Sequence, residues 1–564
     1  MDAGKRTIND IFNGNRIIEI PFFQRAYVWG EEQWERLLSD MEDISATNKP
    51  YFLGSVILKQ QPTRSGEEIG DLRTLIDGQQ RLTTLNIFFK VLYLKNNSIP
   101  SFDRIFRLMN NELALWHNHN DINSFEKILN LMSLDEIEVK DNITRAYQYF
   151  KDKIKPEKIN TNSILKNVLF VGIDLDSNED EQQIFDTINS LGVNLTTAEL
   201  LKNYFFKRDE KHIYEKYWKN IFEIDEETKD YWDKEFTSGR LKRTFIDIFF
   251  YSYLQIKIQD KGLNVKTEDK LMYSKVDNLF ESYKDFITKY NQDKKVILNE
   301  IEEYAKIFRS NFNFNVINEE LKAEYGIERI NTIIFGLDTS TLISYVLYVL
   351  KHVKDESEKR ELFEVIESYI MRRIVVHAST KNYNQLFTDR LINNEIISKN
   401  KFLEYIKKGE DKVNYFPNDE ELKKGFITSE LINKQSAGII YFIESIIRNK
   451  NKHSTSLLGI SKYSLEHLMP KKWENNWGKL KEKKDQDIRN RKLLTLGNLA
   501  IITQSLNSSI RDAEWGVKRK KLNEYSAGIE TLSSYLDLEE WNEIEIEKRG
   551  NFLYEKALEI WKFY

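Results

Sequence analysis

The chain has 564 residues, 41% of them hydrophobic and 13% aromatic, with a net charge of −5 and no cysteine. This length is too great for one hydrophobic core, and this composition excludes both an extensively disordered chain and a protein that coats nucleic acid through overall positive charge. The lack of cysteine excludes disulfides, thiolate metal ligands and cysteine nucleophiles. The N-terminus has no apolar signal region, and even the longest apolar runs, such as Thr341–Leu350, are about ten residues, far too short to span a membrane. Both features predict a cytoplasmic protein that enters no membrane.

Three regions follow one another along the chain. Residues 1–206 mix strand and helix patterns, and residues 207–440 show helical periods with aromatic and aliphatic residues on one face. Residues 441–564 carry short polar motifs between apolar segments. These patterns predict a multidomain α+β protein with an N-terminal α+β domain, a mostly α-helical middle and a separate C-terminal domain.

The sequence "IPFFQRAYVWGEEQWERLLSDM" places Gln24 and Arg25 among aromatic residues just before an amphipathic helix. Arginine and aromatic rings on one loop suit phosphate binding combined with base stacking. They would equally suit a hydrophobic wedge with an arginine at the surface. The residues alone leave both interpretations open.

Further along, "YFLGSVILKQ" and "DLRTLI" indicate two strands joined by the polar loop "QPTRSGEEIG", and Val168–Leu175 indicates another buried strand. The segment "IFDTINSLGVNLTTAELLKNYFF" predicts a helix, a Leu-Gly stop and a second helix opened by a capping box, Thr196–Glu199. The first region therefore combines several strands with helices that pack on them.

The stretch "LIDGQQRLTTLNIFF" predicts a strand that ends before a helix beginning at about Gln79. A helix N-terminus attracts anions, Gly78 permits a sharp turn, and the guanidinium group of Arg81 suits phosphate. Asp77 would repel phosphate unless a divalent cation lies between them, as Mg²⁺ commonly does. The alternative is structural: Asp77 caps the helix, Gly78 makes the turn and Arg81 points to solvent.

The C-terminal region brings a second group of polar residues, Glu466 and His467 in "SLEHLMP", Asn498 in "LGNLAII" and Asn507 in "SLNSS". Phosphodiester hydrolysis with one metal needs a base for water, oxygen ligands for the cation and a group that orients the base. Histidine suits the first task, and glutamate and asparagine oxygens suit Mg²⁺. The alternative is an ordinary surface Glu-His pair and an ordinary turn.

The same region is locally basic. Residues 471–521 contain fourteen lysines and arginines against six acidic residues, a local excess of eight positive charges in a chain that is negative overall. Positive charge around a metal–histidine site fits a polyanionic substrate, although charged helix faces are usually only solvated. The candidate DNA-binding residues are Lys518, Arg519 and Lys520.

Together, "PFFQRAYVW", "YFLGSVIL", "LIDGQQRLTTL" and "FDTINSLGVNLTTAELLKN" resemble the N-terminal domain of GmrSD- and SspE-type modification-dependent restriction enzymes. The resemblance covers residues 7–206. It implies a ParB/sulfiredoxin-like α+β fold that binds and hydrolyses a nucleoside triphosphate. The nucleotide-binding residues that it implies are Gln24, Arg25, Asp77, Gly78, Gln79, Gln80 and Arg81, with Asp77 and Arg81 catalytic.

Residues 455–525, with "LEHLMPKKW" and "LLTLGNLAIITQSLNSSI", are similar to the HNH (His-Me finger, ββα-metal) nuclease domain of the same enzymes. The resemblance makes His467 the general base, Asn507 and Glu466 metal ligands, and Asn498 the residue that orients the site. The insertion before Asn498 is long and rich in lysine, which departs from the family pattern. Many members carry a lysine shortly after the last asparagine, and in this sequence either Arg511 or Lys518 would have to serve in its place.

The two resemblances predict a nucleotide-regulated, modification-dependent endonuclease in antiphage defence. It would use GTP or another nucleoside triphosphate together with Mg²⁺ or Mn²⁺, and would nick or cut modified double-stranded DNA. Phosphorothioate, methylated cytosine and glucosylated hydroxymethylcytosine remain open as the modification, and so does a homodimer. The alternatives are a nucleotide-gated sensor of modified DNA with an inactive nuclease domain, and a nucleotidase acting on free nucleotides.

Overall fold

A computed structural model of the chain divides into two compact units, Met1–Lys219 and Asn220–Tyr564. The protein is α+β, with many helices and a mixed sheet in the first unit. No helix in the described part of the chain is long and apolar enough to cross a membrane. The described residues are 2–13, 16–21, 24, 26–61, 71–177, 196–206, 210–238, 241–408, 413–450, 456–526 and 528–564.

The strands described in the first unit form one mixed sheet, in the order β1-β6-β3-β4-β2-β5. The pairs β1–β6 and β3–β4 are antiparallel, whereas β3–β6, β2–β4 and β2–β5 are parallel. Parallel neighbours require crossover connections, which the helices supply. The strands are β1 (Asp2–Thr7), β2 (Arg16–Glu19), β3 (Tyr51–Gln60), β4 (Asp71–Asp77), β5 (Leu115–Trp116) and β6 (Val168–Leu175).

The helices in the described part of the first unit are α1 (Ile8–Ile11), α2 (Glu31–Thr47), α3 (Gln79–Lys95), α4 (Ile99–Phe106), α5 (Ile122–Leu129), α6 (Asn142–Lys153), α7 (Thr161–Asn167), α8 (Thr197–Phe205) and α9 (Lys211–Tyr214). Helix α3 is central, because every residue from Leu82 to Leu94 is buried. A helix that is apolar around its whole circumference needs neighbours on all sides. Phe88 packs edge-on against Phe150 of α6, and Phe89 contacts Phe106 of α4.

The predicted strand pair, the predicted strand Val168–Leu175 and the predicted helix start at Gln79 are confirmed. The capping box is also confirmed: the Thr196 hydroxyl accepts from the backbone N–H of Glu199, and the Glu199 carboxylate accepts from the N–H of Thr196. The predicted loop between β3 and β4, and the helix predicted before the capping box, lie outside the described residues.

Helices dominate the second unit, which also holds two antiparallel strand pairs, β7 (Glu235–Ser238) with β8 (Leu241–Thr244) and β9 (Tyr463–His467) with β10 (Leu499–Thr503). Its described α-helices are Asn220–Phe222, Glu226–Trp232, Phe245–Lys257, Thr267–Tyr273, Leu279–Lys289, Lys294–Asn311, Ile327–Asn331, Ile343–His352, Glu356–Val375, Tyr383–Gln385, Leu391–Asn393, Lys399–Lys408, Asp419–Thr428, Asn433–Lys450, Lys483–Lys492, Gln504–Ile510, Trp515–Ser526, Glu530–Ser533 and Glu543–Ile560.

The predicted boundary at residue 206 lies near the observed division after Lys219, but residue 440 lies inside the helix Asn433–Lys450. That helix packs against β9, β10 and the C-terminal helix Glu543–Ile560. The middle and C-terminal regions therefore share one core within the second unit. The predicted division between 207–440 and 441–564 does not coincide with a break between compact units.

The C-terminal helix Glu543–Ile560 packs unusually closely on the turn that leads into β10. A Cβ atom on Gly497 would lie 2.0 Å from the carbonyl oxygen of Ile546, so only glycine fits there. Arg549, fully buried on the same helix, donates through Nη1 to the carbonyl oxygens of Gly497 (2.9 Å) and Leu499 (2.6 Å). This contact sets the backbone path of the turn.

Replacing Gly497 with alanine should therefore push the C-terminal helix away from the turn. Overpacking of a tight contact costs roughly 1–3 kcal/mol or more of unfolding free energy. Urea denaturation followed by tryptophan fluorescence should show a lower midpoint for Gly497→Ala. The matched control is Gly478→Ala, where a Cβ would meet nothing within 4 Å. Equal midpoints for the two variants would contradict the packing argument.

Candidate nuclease and nucleotide sites

The C-terminal motif folds as two antiparallel strands followed by a helix. In β9 and β10, His467 lies opposite Leu499 and Glu466 lies opposite Ala500. The helix Gln504–Ile510 begins directly after β10 and carries Asn507. The continuous apolar run in "LAIIT", which is buried as a strand, and the short helix after it thus place the two predicted asparagines and the predicted histidine in one strand–strand–helix unit.

Asn507 is oriented by its amide nitrogen. Nδ2 donates to the hydroxyl of Ser464 (2.9 Å) and to the carbonyl oxygen of Leu465 (3.1 Å), both on β9. These two bonds use the donor side of the amide. Oδ1 is therefore the amide atom left to accept or coordinate a ligand.

His467 ends β9 and is partly exposed. Burial, with the positive charges of Lys471 and Lys518, lowers the pKa of His467 to about 4. The imidazole is consequently neutral near pH 7, and a ring nitrogen can accept a proton. This is the protonation state that a general base requires.

Glu466 faces the interior and pairs with Lys518. The side chain of Lys518 has no exposed surface and that of Glu466 is 5% exposed. The Lys518 ammonium group donates to the Glu466 carboxylate and to the carbonyl oxygen of His467, at 2.7 Å in the second case. Burial raises the pKa of Glu466 and lowers that of Lys518, while the partner's charge opposes each shift.

This placement corrects the expectation that Lys518 contacts DNA, since an unexposed ammonium group cannot reach a phosphate. Of the two residues considered for the lysine after the last asparagine, Lys518 is the one that touches Glu466 and the backbone of His467. Of the other candidate DNA contacts, Arg519 donates to the carbonyl oxygen of Leu538 (2.8 Å) and Lys520 is exposed.

Asn498 is fully buried, and its side chain makes no hydrogen bond to the His467 side chain in the described part of the chain. Its Oδ1 accepts from the backbone N–H of Met469 and from Nε1 of Trp541, both at 2.9 Å. Its Nδ2 donates to the carbonyl oxygens of Met469 (2.8 Å) and Leu493 (3.0 Å). Asn498 is thus a positioning residue that joins the segment after His467 to the turn before β10.

A cavity of about 400 Å³ opens beside His467 and Asn507. Its wall combines positive charge with a carboxylate, which suits a phosphate group accompanied by a cation. We call it the basic cavity. Apart from His467 and Asn507, the charged residues of its wall are Glu466, Lys471, Lys472, Arg511 and Asp512.

The residues of the basic cavity fit a sparsely coordinated Mg²⁺ or Mn²⁺. Within the described residues no group of three or more His, Asp or Glu side chains could enclose a metal ion. Mg²⁺ commonly takes only one or two protein ligands and completes its shell with water and substrate phosphate. Asn507 Oδ1 and the Asp512 carboxylate are available for this, whereas Glu466 is already paired with Lys518.

Part of the basic stretch is paired with acidic residues elsewhere in the second unit. Arg489 pairs with Glu543, and Lys492 pairs with Glu547, both on the C-terminal helix. These two pairs connect the insertion to the C-terminal helix, and Glu466–Lys518 connects β9 to the helix Trp515–Ser526. The local excess of positive charge is therefore smaller at the surface than in the sequence.

In the first unit, the DGQQR motif (Asp77–Arg81) spans the junction of β4 and α3. Gly78 is the N-cap of α3 with φ of 108°, and no side chain caps the helix. Asp77 instead accepts from Arg81 Nη2 (2.8 Å) and from the hydroxyl of Ser55. Arg81 Nη2 also donates to the carbonyl oxygen of Ser55 (2.8 Å). The structural alternative, with Asp77 as cap and Arg81 in solvent, is not what is observed.

Gly54 of β3 makes room for Arg81. The strand has an irregular register at this point, Gly54 has φ of 126°, and a Cβ there would lie 3.3 Å from the Arg81 guanidinium group. Both the backbone conformation and the space favour glycine. A glycine within a strand pattern signals a bulge or a close approach, and this signal in "YFLGSVIL" was available in the sequence.

Two polar atoms of the motif have no partner. Gln80 Nε2 and Arg81 Nε are buried and make no hydrogen bond within the described residues. Unpaired buried polar groups are costly and commonly mark a place where a ligand completes the bonding. Together with the N-terminus of α3, which begins at Gln79, they fit the phosphates of a nucleotide.

Gln80 also links the motif to the aromatic segment that precedes α2. Its Oε1 accepts from the backbone N–H groups of Val28 (2.9 Å) and Trp29 (3.2 Å). The buried Tyr27 hydroxyl meets that of Thr84 on α3 at 2.7 Å. The segment near Gln24 is therefore fixed to the helix that carries the DGQQR motif.

Helix α8, in the segment "IFDTINSLGVNLTTAELLKNYFF", contacts the same region through Asn203. Its amide donates to Gln24 Oε1 at 3.3 Å, and Gln24 is 6% exposed. Arg25 and Asn189 lie outside the described residues. The structure thus brings Gln24 into contact with α8, and Gln80 into contact with the segment that precedes α2. Sequence reasoning missed Ser55, Ser464, Asp512 and Trp541, which are ordinary residue types without a distinctive spacing.

Comparison with models of protein families relates both ends of the chain to restriction endonucleases. Residues 8–206 match the model of the GmrSD restriction endonuclease N-terminal domain, and residues 416–556 match that of the GmrSD restriction endonuclease C-terminal domain. The two matches cover more than half of the chain. The chain belongs to the GmrSD restriction endonuclease family and carries both domains in one polypeptide. A comparison with curated proteins found no match.

Replacing Lys518 with methionine should strongly destabilise the ββα unit, because it leaves Glu466 buried without its partner. Breaking a buried ion pair from one side typically costs about 3–5 kcal/mol of unfolding free energy. The control is Lys520→Met, two residues away on the exposed side, where surface substitution changes stability by about 0.5 kcal/mol or less. Urea midpoints measure both, and similar midpoints would refute the buried-pair assignment.

Proposed function

We propose that this restriction endonuclease is nucleotide-regulated and modification-dependent, and that it acts in antiphage defence. Its C-terminal domain would be an HNH-type nuclease that nicks or cuts modified double-stranded DNA. Its N-terminal domain would be a ParB/sulfiredoxin-like nucleotidase. The observation that carries the nuclease part is the basic cavity, where a neutral His467 and the Asn507 oxygen adjoin Lys471, Lys472 and Arg511.

In the proposed reaction, the neutral imidazole of His467 removes a proton from a water molecule as that water attacks phosphorus. The bond between phosphorus and the leaving oxygen breaks, and the leaving oxygen gains a proton from solvent. Lys471, Lys472 and Arg511 hold the phosphodiester, and Asn498 holds the backbone on which His467 is mounted. A bound Mg²⁺ or Mn²⁺, held by Asn507 with Asp512, would stabilise the negative charge that builds on the phosphate.

In the first unit, a nucleoside triphosphate, GTP or another, would place phosphate oxygens at the N-terminus of α3. Gln80 Nε2 and Arg81 Nε, the two unpaired buried donors, would bind them, and Asp77 would hold a divalent cation. The bonds from Gln80 to Val28 and Trp29 give the nucleotide site a physical link to the segment containing Gln24. These contacts support nucleotide regulation.

One observation favours a sensor with an inactive nuclease domain instead. The pairing of Glu466 with Lys518 removes a carboxylate that the family resemblance would use as a metal ligand. A pure sensor predicts nucleotide-dependent DNA binding without any metal-dependent nicking. A plasmid-nicking assay with EDTA as the blank separates the two functions.

His467→Ala should abolish nicking of supercoiled plasmid and leave DNA binding in place. A general base is worth roughly 10²–10⁴-fold in rate, enough to remove visible product. Asn507→Ala should also nick slowly but recover partly at high Mg²⁺ or Mn²⁺, because it removes a ligand and not the base.

The control for both variants is His377→Ala, an exposed histidine after the helix Glu356–Val375 that should nick at the wild-type rate. Nicking by His467→Ala at the wild-type rate would show that the nuclease assignment is wrong.

Arg81→Ala and Asp77→Ala should each lose nucleoside triphosphate hydrolysis. A charge-assisted phosphate contact is worth about 1.5–3 kcal/mol, which is about tenfold to over a hundredfold in rate. Arg145→Ala is the matched control, because Arg145 is an exposed arginine of α6 outside the motif. Phosphate release measures all three variants, and wild-type release by Arg81→Ala would argue against the nucleotidase assignment.

A further inference from the structure

A second cavity of about 530 Å³ adjoins the basic cavity. Leu465 and Asn507 line both of them, so the two cavities share a wall formed by β9 and the helix Gln504–Ile510. The volume lies within the range of about 300–1,000 Å³ that is typical of small-molecule sites. It has room for one planar ring system with a substituent, but a DNA duplex is far too wide to enter.

The two cavities differ in chemistry. Whereas the basic cavity has lysines and an arginine in its wall, the second cavity combines apolar side chains with short polar ones. Ile460 and the partly exposed ring of Tyr463 supply apolar surface, and Asn433 and Ser461 supply hydrogen-bonding groups. Flat apolar surface combined with a few polar groups is what a nucleobase requires, through its faces and its edge respectively.

The second cavity does not offer the charge that a free nucleotide requires. Lys434 is the only cationic residue in its wall as described, and its ammonium group pairs with Asp338 at 2.6 Å. A triphosphate entering alone would have several negative charges without cationic partners there. A base attached to DNA has its phosphate outside, where the adjoining basic cavity can hold it.

We propose that the second cavity receives a nucleobase swung out of the DNA duplex, from the nucleotide next to the phosphate held in the basic cavity. This inference rests on the proposed nuclease function and names how that site selects its substrate. Asn507 lines both cavities and would therefore adjoin both the phosphate and the extruded base. Extrusion of the base lets the cavity test its size and substituents before the phosphate is cut.

The test uses a variant that fills the second cavity without touching the basic one. Ala437 lines the second cavity and is partly exposed, so tryptophan at this position extends into the space. Ser461→Phe, at an exposed residue that lines the same cavity, is the second filling variant. Ala323→Trp is the matched control, because Ala323 is another partly exposed alanine of the same unit and lies in neither cavity.

The probes are short duplexes with 2-aminopurine beside a methylated cytosine, a glucosylated hydroxymethylcytosine or a phosphorothioate linkage. Binding is measured in EDTA, so that no strand is cut. Wild type and Ala323→Trp should raise 2-aminopurine fluorescence with at least one duplex. Extrusion of a base removes stacking at the 2-aminopurine, and loss of stacking raises its fluorescence. Both filling variants should abolish that rise and lower DNA cleavage about 10- to 100-fold, the value of one stacked base.

Hydrolysis of bis(p-nitrophenyl) phosphate, which has no base, should fall much less in the filling variants than DNA cleavage does. The proposal is overturned if the wild type gives no fluorescence rise with any duplex, or if both filling variants keep the rise. It is also overturned if bis(p-nitrophenyl) phosphate hydrolysis falls as much as DNA cleavage. His467→Ala separates the two proposals. If this variant cuts DNA at the wild-type rate, the nuclease assignment is wrong. The rise of 2-aminopurine fluorescence with this variant reports base extrusion alone, because extrusion does not require the general base.

Discussion

The four hydrogen bonds of the Asn498 side chain are the constraint on which the nuclease site depends. They join Met469, just after His467, to Leu493 before the turn and to Trp541 beyond the ββα unit. A fully buried amide with both its donors and its acceptor used has little freedom to rotate. His467 is the last residue of β9, and these bonds fix that end of the strand relative to β10. The helix that carries Asn507 follows β10 directly. Gly497 and Arg549 extend the same constraint to the C-terminal helix.

Placement, more than residue type, decides what each charged side chain of the second unit can do. Lys518 and Lys520 are two positions apart on one helix, yet the first is buried against Glu466 and the second is exposed. Helix geometry turns side chains two positions apart toward different faces. Charge counted along the sequence therefore overstates the charge available to DNA. Lys471, Lys472 and Arg511 keep positive charge at the basic cavity, beside His467, where a phosphodiester would have to lie for hydrolysis.

Local patterns made much of this fold predictable. The β3–β4 pair, the strand Val168–Leu175, the start of α3 and the capping box at Thr196 each follow from patterns within one short segment. Residues 207–440 and 441–564 were separated in the prediction because their patterns differ, but the helix Asn433–Lys450 packs on both. The partners Lys518, Trp541 and Ser55 also come from distant parts of the chain. A single sequence carries no signal for such contacts, because they are set by packing rather than by local spacing.

Both candidate sites contain an acidic side chain paired with a basic one, but burial gives the two pairs different roles. The side chains of Asp77 and Arg81 are 33% and 22% exposed, whereas those of Glu466 and Lys518 are almost wholly buried. A partly exposed ion pair contributes little and can exchange partners with water or a ligand, while separating a buried pair leaves an uncompensated charge. In the proposed nucleotide site, Arg81 would turn from Asp77 to a phosphate at small cost, which would leave Asp77 to hold a cation. Lys518 cannot make the same exchange, so the buried pair supports the backbone of His467. The ligand-binding charge of the proposed nuclease site would come from Lys471, Lys472 and Arg511.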